Sequence, residues 1–197
     1  MERPIDAFLL DVRGILAQDG ASEKGIGRLV EKMRALVRDP EVLASHQEFT
    51  STLAQGQIST GLYADTGRRS QVVYTDDSGL TLVRSRFDPE ESTPIHSHST
   101  WGILGVYAGR DRHEAWRRSD RGDGPGHAVI ELIEERVLEP GDVVVIPHPP
   151  HDIHRQQGYG GEPAHEFVLF GANAMVTPRL IFDPQNNSAR EVIPGHR

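Results

Sequence analysis

The pair His96-Ser97-His98 and a third histidine far along the chain, His154, constrain this sequence most. Residues i and i+2 on a strand point to the same side of a sheet. His96 and His98 therefore share a face if they lie on a strand. A third imidazole from a distant strand can then close a three-nitrogen face on one metal ion, with the other positions open to substrate or oxygen. The pattern calls for a sheet in which segments far apart in sequence meet. Imidazole suits Fe, Zn, Cu and Ni, so the ligand set by itself does not choose the metal.

The rest of the chain agrees with such a sheet. From about residue 68, short β-prone runs alternate with turn residues, an all-β signal. The predicted strands are 71–74, 80–87, 102–108, 113–118, 130–138, 142–146, 153–156, 166–170 and 179–182. Asp76-Asp77-Ser78-Gly79 has the composition of a hairpin turn, and Pro140-Gly141 fits a type II turn. Ser119 to Gly126 is polar and glycine-rich, a solvated loop.

The first third differs. Ile5, Phe8, Leu9, Val12, Ile15 and Leu16 follow helical spacing, as do Ile26, Leu29, Val30, Met33, Leu36 and Val37. Asp39-Pro40 breaks the second helix and can start a third. The expected layout is one domain: a helical layer over 1–66, a β-barrel over 67–184 and a tail over 185–197. The expected fold class is mainly β, a barrel or jelly roll with the N-terminal helices packed outside.

Composition narrows the function classes. A chain of 197 residues can bury a core as one domain. It has no cysteine, hence no disulfide and no thiolate ligand or nucleophile. A formal charge of −8 disfavours nucleic-acid binding. It also means that an anionic substrate needs a local arginine. No apolar run reaches membrane-spanning length and the first residues lack a secretory layout, so a cytoplasmic location is expected.

Two stretches carry the chemistry. One runs Pro94-Ile95-His96-Ser97-His98-Ser99-Thr100-Trp101-Gly102-Ile103-Leu104-Gly105; the other is Glu139-Pro-Gly-Asp-Val-Val-Val-Ile-Pro147 followed by His-Pro-Pro-His-Asp-Ile-His154. Together they resemble the two halves of the cupin metal motif. The acidic ligand that many cupins carry shortly after the HxH pair is missing, its region being occupied by Trp101 and Gly102. A three-histidine site followed by Trp-Gly-x-x-Gly resembles the thiol dioxygenases, above all the bacterial 3-mercaptopropionate branch related to cysteine dioxygenase. Asp152-Ile153-His154 and the run from Phe170 to Pro184 share in this likeness, which spans residues 67–184.

The resemblance implies a cupin barrel (double-stranded β-helix) and Fe(II), or another divalent metal, on His96, His98 and His154. It implies dioxygen and a small carboxylated thiol as substrates, with a sulfinate as product. Arg179 matches the arginine that holds the substrate carboxylate in the mercaptopropionate branch. Arg69 matches the arginine that does so in cysteine dioxygenases. With both present, a substrate with two carboxylates, such as a mercaptosuccinate-like thiol, is expected. Trp101 would wall the site against water, and Asp152 would orient His154 or a neighbouring backbone group.

One departure stands out. The family's Ser-x-His-x-Tyr positions hold Glu166, Val168 and Phe170, with His165 one residue out of phase and facing away. Tyr107 and Tyr159 are candidate substitutes for the missing phenol. His151 is the fallback third ligand, and His46, His113, His127, His148 and His196 are expected in loops or solvent. Arg84, Arg86 and even Arg69 can equally be surface charges, and Trp101 and Trp116 core aromatics. Other metal-dependent cupin enzymes (isomerase, hydrolase, C–C dioxygenase) and a non-catalytic ligand-binding cupin remain alternatives, and the oligomeric state is open.

Overall fold

A computed structural model describes residues 3–46, 68–173 and 176–193, leaving aside the side chains of Arg68 and Arg69. Helical spacing becomes α1 (Arg3–Asp19) and α2 (Glu23–Val37), whose apolar faces bury Phe8, Val12, Ile15, Leu29 and Met33. Ser22 caps α2, its hydroxyl accepting the Gly25 N–H. Asp39 caps the short α3 (Pro40–Ala44), with Pro40 in its first turn as the sequence predicts. Residues 47–66 of the expected helical layer lie outside the described residues.

Twelve strands follow among the described residues: β1 (Arg68–Thr75), β2 (Thr81–Phe87), β3 (Ile95–His96), β4 (Gly102–Ala108), β5 (Asp111–Arg118), β6 (Gly126–His127), β7 (Ile130–Leu138), β8 (Val143–Ile146), β9 (His154–Gly158), β10 (Ala164–Phe170), β11 (Arg179–Asp183) and β12 (Ser188–Val192). They form a five-stranded sheet, β1-β2-β10-β4-β8, and a seven-stranded sheet, β6-β12-β11-β3-β9-β5-β7. The ladders are antiparallel. The fold class is the expected one: mainly β, with two antiparallel sheets and the helices packed outside against one of them.

Three strands escape the sequence reading. β3 and β6 have two residues each, too short for any periodicity. β12 falls inside the expected 185–197 tail, where it pairs with β11 and β6. Its composition, Ser-Ala-Arg-Glu-Val, carries little β signal.

Two glycines matter to the layering. Gly141 has φ +95°, the conformation that a type II turn requires, and it turns the chain into β8. Gly105 lets α2 lie directly on β4: a Cβ there would come within 2.7 Å of Val37 Cγ1 and 2.8 Å of Met33 Cγ. One apolar cluster thus fills the space between the helices and the five-stranded sheet, with Phe167, Leu169, Ile103 and Tyr107 on its sheet side. A second, including Val83, Leu104, Ile146, Val168 and Phe170, fills the barrel interior.

Candidate metal centre

The site is built on one register row across the seven-stranded sheet. Ile181 of β11 lies opposite His96 of β3, His96 opposite His154 of β9, His154 opposite Ala115 of β5, and Ala115 opposite Glu134 of β7. Residues opposite one another across a ladder share a face. His96 and His154 therefore meet as direct neighbours although far apart in sequence. His98, two residues beyond His96, completes the group. All three imidazoles are buried, and one nitrogen of each lies within 4.8 Å of the others.

The donor set fits a divalent ion. Nδ1 of His96 lies 2.9 Å from the Pro94 carbonyl, which directs Nε2 inward. Nε2 of His98 and Nε2 of His154 are 2.9 Å apart. With metal–nitrogen bonds of about 2.1 Å, that separation subtends roughly a right angle, suitable for one face of a coordination sphere. Three neutral imidazoles, no thiolate and no carboxylate in the cluster leave the charge of a bound dication uncompensated.

Asp152 supports the HxH segment. One of its oxygens, Oδ2, accepts the backbone N–H of His98 (2.8 Å) and that of Ser99 (2.7 Å). Ser99 has φ +56°, unusual for a residue with a side chain, and the two bonds hold this turn in place. Of the two roles expected for Asp152, the structure shows the backbone one. Burial raises the Asp152 carboxyl above its ordinary pKa, opposed by the amides of His98, Ser99 and Thr100.

The interior face of β10 holds the register expected from sequence. Val168 and Phe170 belong to the barrel cluster, and the Phe170 ring lies 4.5 Å from that of His98. Glu166, fully buried, accepts a 2.7 Å bond from Gln156 Nε2 across the barrel. His165 faces the other way, 4.3 Å from His46 and 6.0 Å from Tyr107 by ring centroids. Burial, reinforced by His46, Arg86 and Arg84, pushes the His165 pKa down to about 3.

Several expectations are corrected. Trp101 packs in the helix-facing cluster, where its indole would collide with any Cβ on Gly171; the aromatic wall beside the histidines is Phe170. Tyr107 is buried on the helix side and accepts a 2.9 Å bond from Arg84 Nε, and Tyr159 lies exposed under Arg110, so neither replaces the missing phenol. Arg84, expected at the surface, is buried beneath the helices. His151 is exposed, which removes it as the third ligand.

His113, expected in solvent, is buried with its ring 5.4 Å from His154 and its Nδ1 3.5 Å from Asp111 Oδ2. The signal was available: His113 and Ala115 alternate with Glu114 on a strand and fall on one face. Only the neighbouring strand shows that the face is the inner one.

Arg179 is buried at the start of β11. Two residues from Ile181, it falls on the strand face that Ile181 shares with His96. It lines a cavity of about 440 Å³ with Ser97, Ser99 and Asp152. The Arg69 backbone lies in β1 opposite Arg86, and its side chain is outside the described residues.

No family model matches the sequence. Among solved structures, an oxalate oxidase is similar with TM-score 0.44 and 23% identity, over 55% of this chain and 53% of that one. A cupin-like protein from Thermotoga maritima gives TM-score 0.39 and 21% identity, over 58% and 75%. KdgF from Halomonas sp. gives 0.38 and 23%, over 53% and 81%. This chain spans about half the length of the oxalate oxidase.

Proposed function

We propose that this protein is a metal-dependent enzyme, a non-haem Fe(II) thiol dioxygenase that converts a small carboxylated thiol to its sulfinate. The observation that carries the proposal is the convergence of three buried imidazoles with no carboxylate among them. The motif likeness set out above supports the choice of reaction. When bound, the ion supplies the redox chemistry by which both atoms of dioxygen join sulfur, RSH and O2 giving RSO2H.

The protein groups prepare that reaction. An all-imidazole face favours an anionic thiolate as the next ligand, since no protein charge offsets the dication. Phe170 lies against His98 and keeps water from that side. Arg179, on the histidine face, would hold the substrate carboxylate through paired charge-assisted bonds. Asp152 fixes the His98 backbone, and with it the direction of the imidazole.

The test is oxygen uptake after anaerobic Fe(II) loading, with 3-mercaptopropionate, cysteine and mercaptosuccinate as substrates. Thiol-dependent uptake with sulfinate as product is expected; no uptake with any of them would overturn the proposal. Glu166, at the first of the positions where the likeness leads one to expect Ser-x-His-x-Tyr, is buried and bonded to Gln156, which favours a second reading as a different metal-dependent cupin enzyme. Tightly held Zn, Mn or Ni with oxygen-independent turnover would select it.

A further inference from the structure

The row Glu134–Ala115–His154 contains a gap. Ala115 is its smallest member, set between the ligand His154 and the edge strand β7. Over it opens a cavity of about 390 Å³, lined by His113, Ala115, Arg136 and His154 from one sheet and by Val144 and Ile146 from the other. Asp152 and Ile153 border both this cavity and the one that holds Arg179. The first lining holds Arg117 and Arg136, the second Arg118 and Arg179, and of the three histidines only His154 lines either, in the first.

Arg136 stands opposite His113, and His113 opposite Gln156, one layer along from the Ala115–His154 row. Two strand spacings and one layer separate Arg136 from His154, roughly 12 Å between backbones. The two side chains and a short carbon chain fill such a span. Arg136 Nε is 3.8 Å from Glu134 Oε1, and both side chains are about half exposed. An exposed pair this loose holds little energy and leaves the outer N–H groups of the guanidinium for a ligand. His113, buried and with its Nδ1 3.5 Å from Asp111 Oδ2, adds a polar group to the lining.

We propose that this cavity receives the second anionic arm of the substrate and that Arg136 is the residue that recognises it. Resting on the thiol dioxygenase reading, this makes the preferred substrate a small thiol with two carboxylates, one toward Arg179 and one toward Arg136. Glu134 opposes the anion, Ala115 provides the opening, and Val144 and Ile146 line the apolar side.

The test is calorimetric binding of mercaptosuccinate, 3-mercaptopropionate and succinate to Co(II)-loaded protein, with metal content measured for each variant. Arg136→Gln should weaken mercaptosuccinate by about tenfold or more, the worth of a charge-assisted contact, and leave 3-mercaptopropionate within about twofold. Glu134→Gln should tighten mercaptosuccinate. Ala115→Leu should exclude it while the metal stays bound. Unchanged mercaptosuccinate binding in Arg136→Gln, or equal losses for both thiols, would overturn the assignment.

The two proposals fail separately. Oxidation of 3-mercaptopropionate with no role for Arg136 removes the chamber and keeps the dioxygenase. Succinate binding that depends on Arg136, without thiol binding, removes the dioxygenase and keeps the chamber. If none of the three ligands binds, both fall.

Discussion

Asp152 and His98 are joined by a 2.8 Å bond from the His98 backbone N–H to a buried carboxylate oxygen, which also accepts the N–H of Ser99. The bond ties the loop that delivers His154 to the segment that carries the other two histidines. Asp152 is next but one to His154 in sequence. One carboxylate thus sets the distance between the two halves of the site.

Replacing Asp152 with alanine should loosen this link without touching a ligand. Metal affinity should fall about 10- to 100-fold, the usual cost of losing an outer partner. Competition with a chromogenic chelator measures it, with circular dichroism confirming an intact barrel.

The ligands themselves should divide sharply. His154→Ala should abolish metal retention after desalting, as should His96→Ala, whereas His151→Ala should leave a full equivalent bound. A His154→Ala protein that keeps its metal would contradict the buried cluster.

Arg179→Gln should act on binding of the substrate more than on chemistry. Loss of one paired contact to a carboxylate raises KM by roughly 10-fold or more and leaves kcat nearly unchanged. Steady-state oxygen uptake with a monocarboxylate thiol separates the two quantities.

Gly105→Val should destabilise the fold at the helix–sheet contact. Its Cβ would overlap Val37 and Met33, so α2 must shift, at a cost of about 1–3 kcal/mol. Urea unfolding should show a lower midpoint with an unchanged slope.

Stability should also fall on acidification, through His165. Its pKa is about 3 in the folded chain against 6.5 for the free group, so the unfolded state binds the extra proton. The loss begins below pH 6.5 and continues toward pH 3, at up to about 1.4 kcal/mol per pH unit. His165→Phe should flatten this slope in a series of urea midpoints from pH 7 to 4.

How much was legible in advance depended on the range of the interaction. Helical spacing marked α1 and α2 because burial against one surface repeats along a helix. Alternation placed Val168 and Phe170 on one face of β10 and His165 on the other. Trp101 and His113 were misplaced for a shared reason. An aromatic or an imidazole on a strand says which residues share its face, but not which face looks into the barrel. Arg84 and Tyr107 show the same limit, since only the helices laid over β2 and β4 bury them together.

The chain by itself determined a mainly β barrel beneath helices and the trio His96, His98 and His154, because periodicity, turn chemistry and ligand spacing are local properties. The tertiary structure decided the rest: Asp152 clamping the His98 amide, Phe170 beside the histidines, Trp101 under the helices, and two cavities that both border Asp152. Those relations depend on register between strands far apart in sequence, and a one-residue change of register exchanges the faces of a sheet.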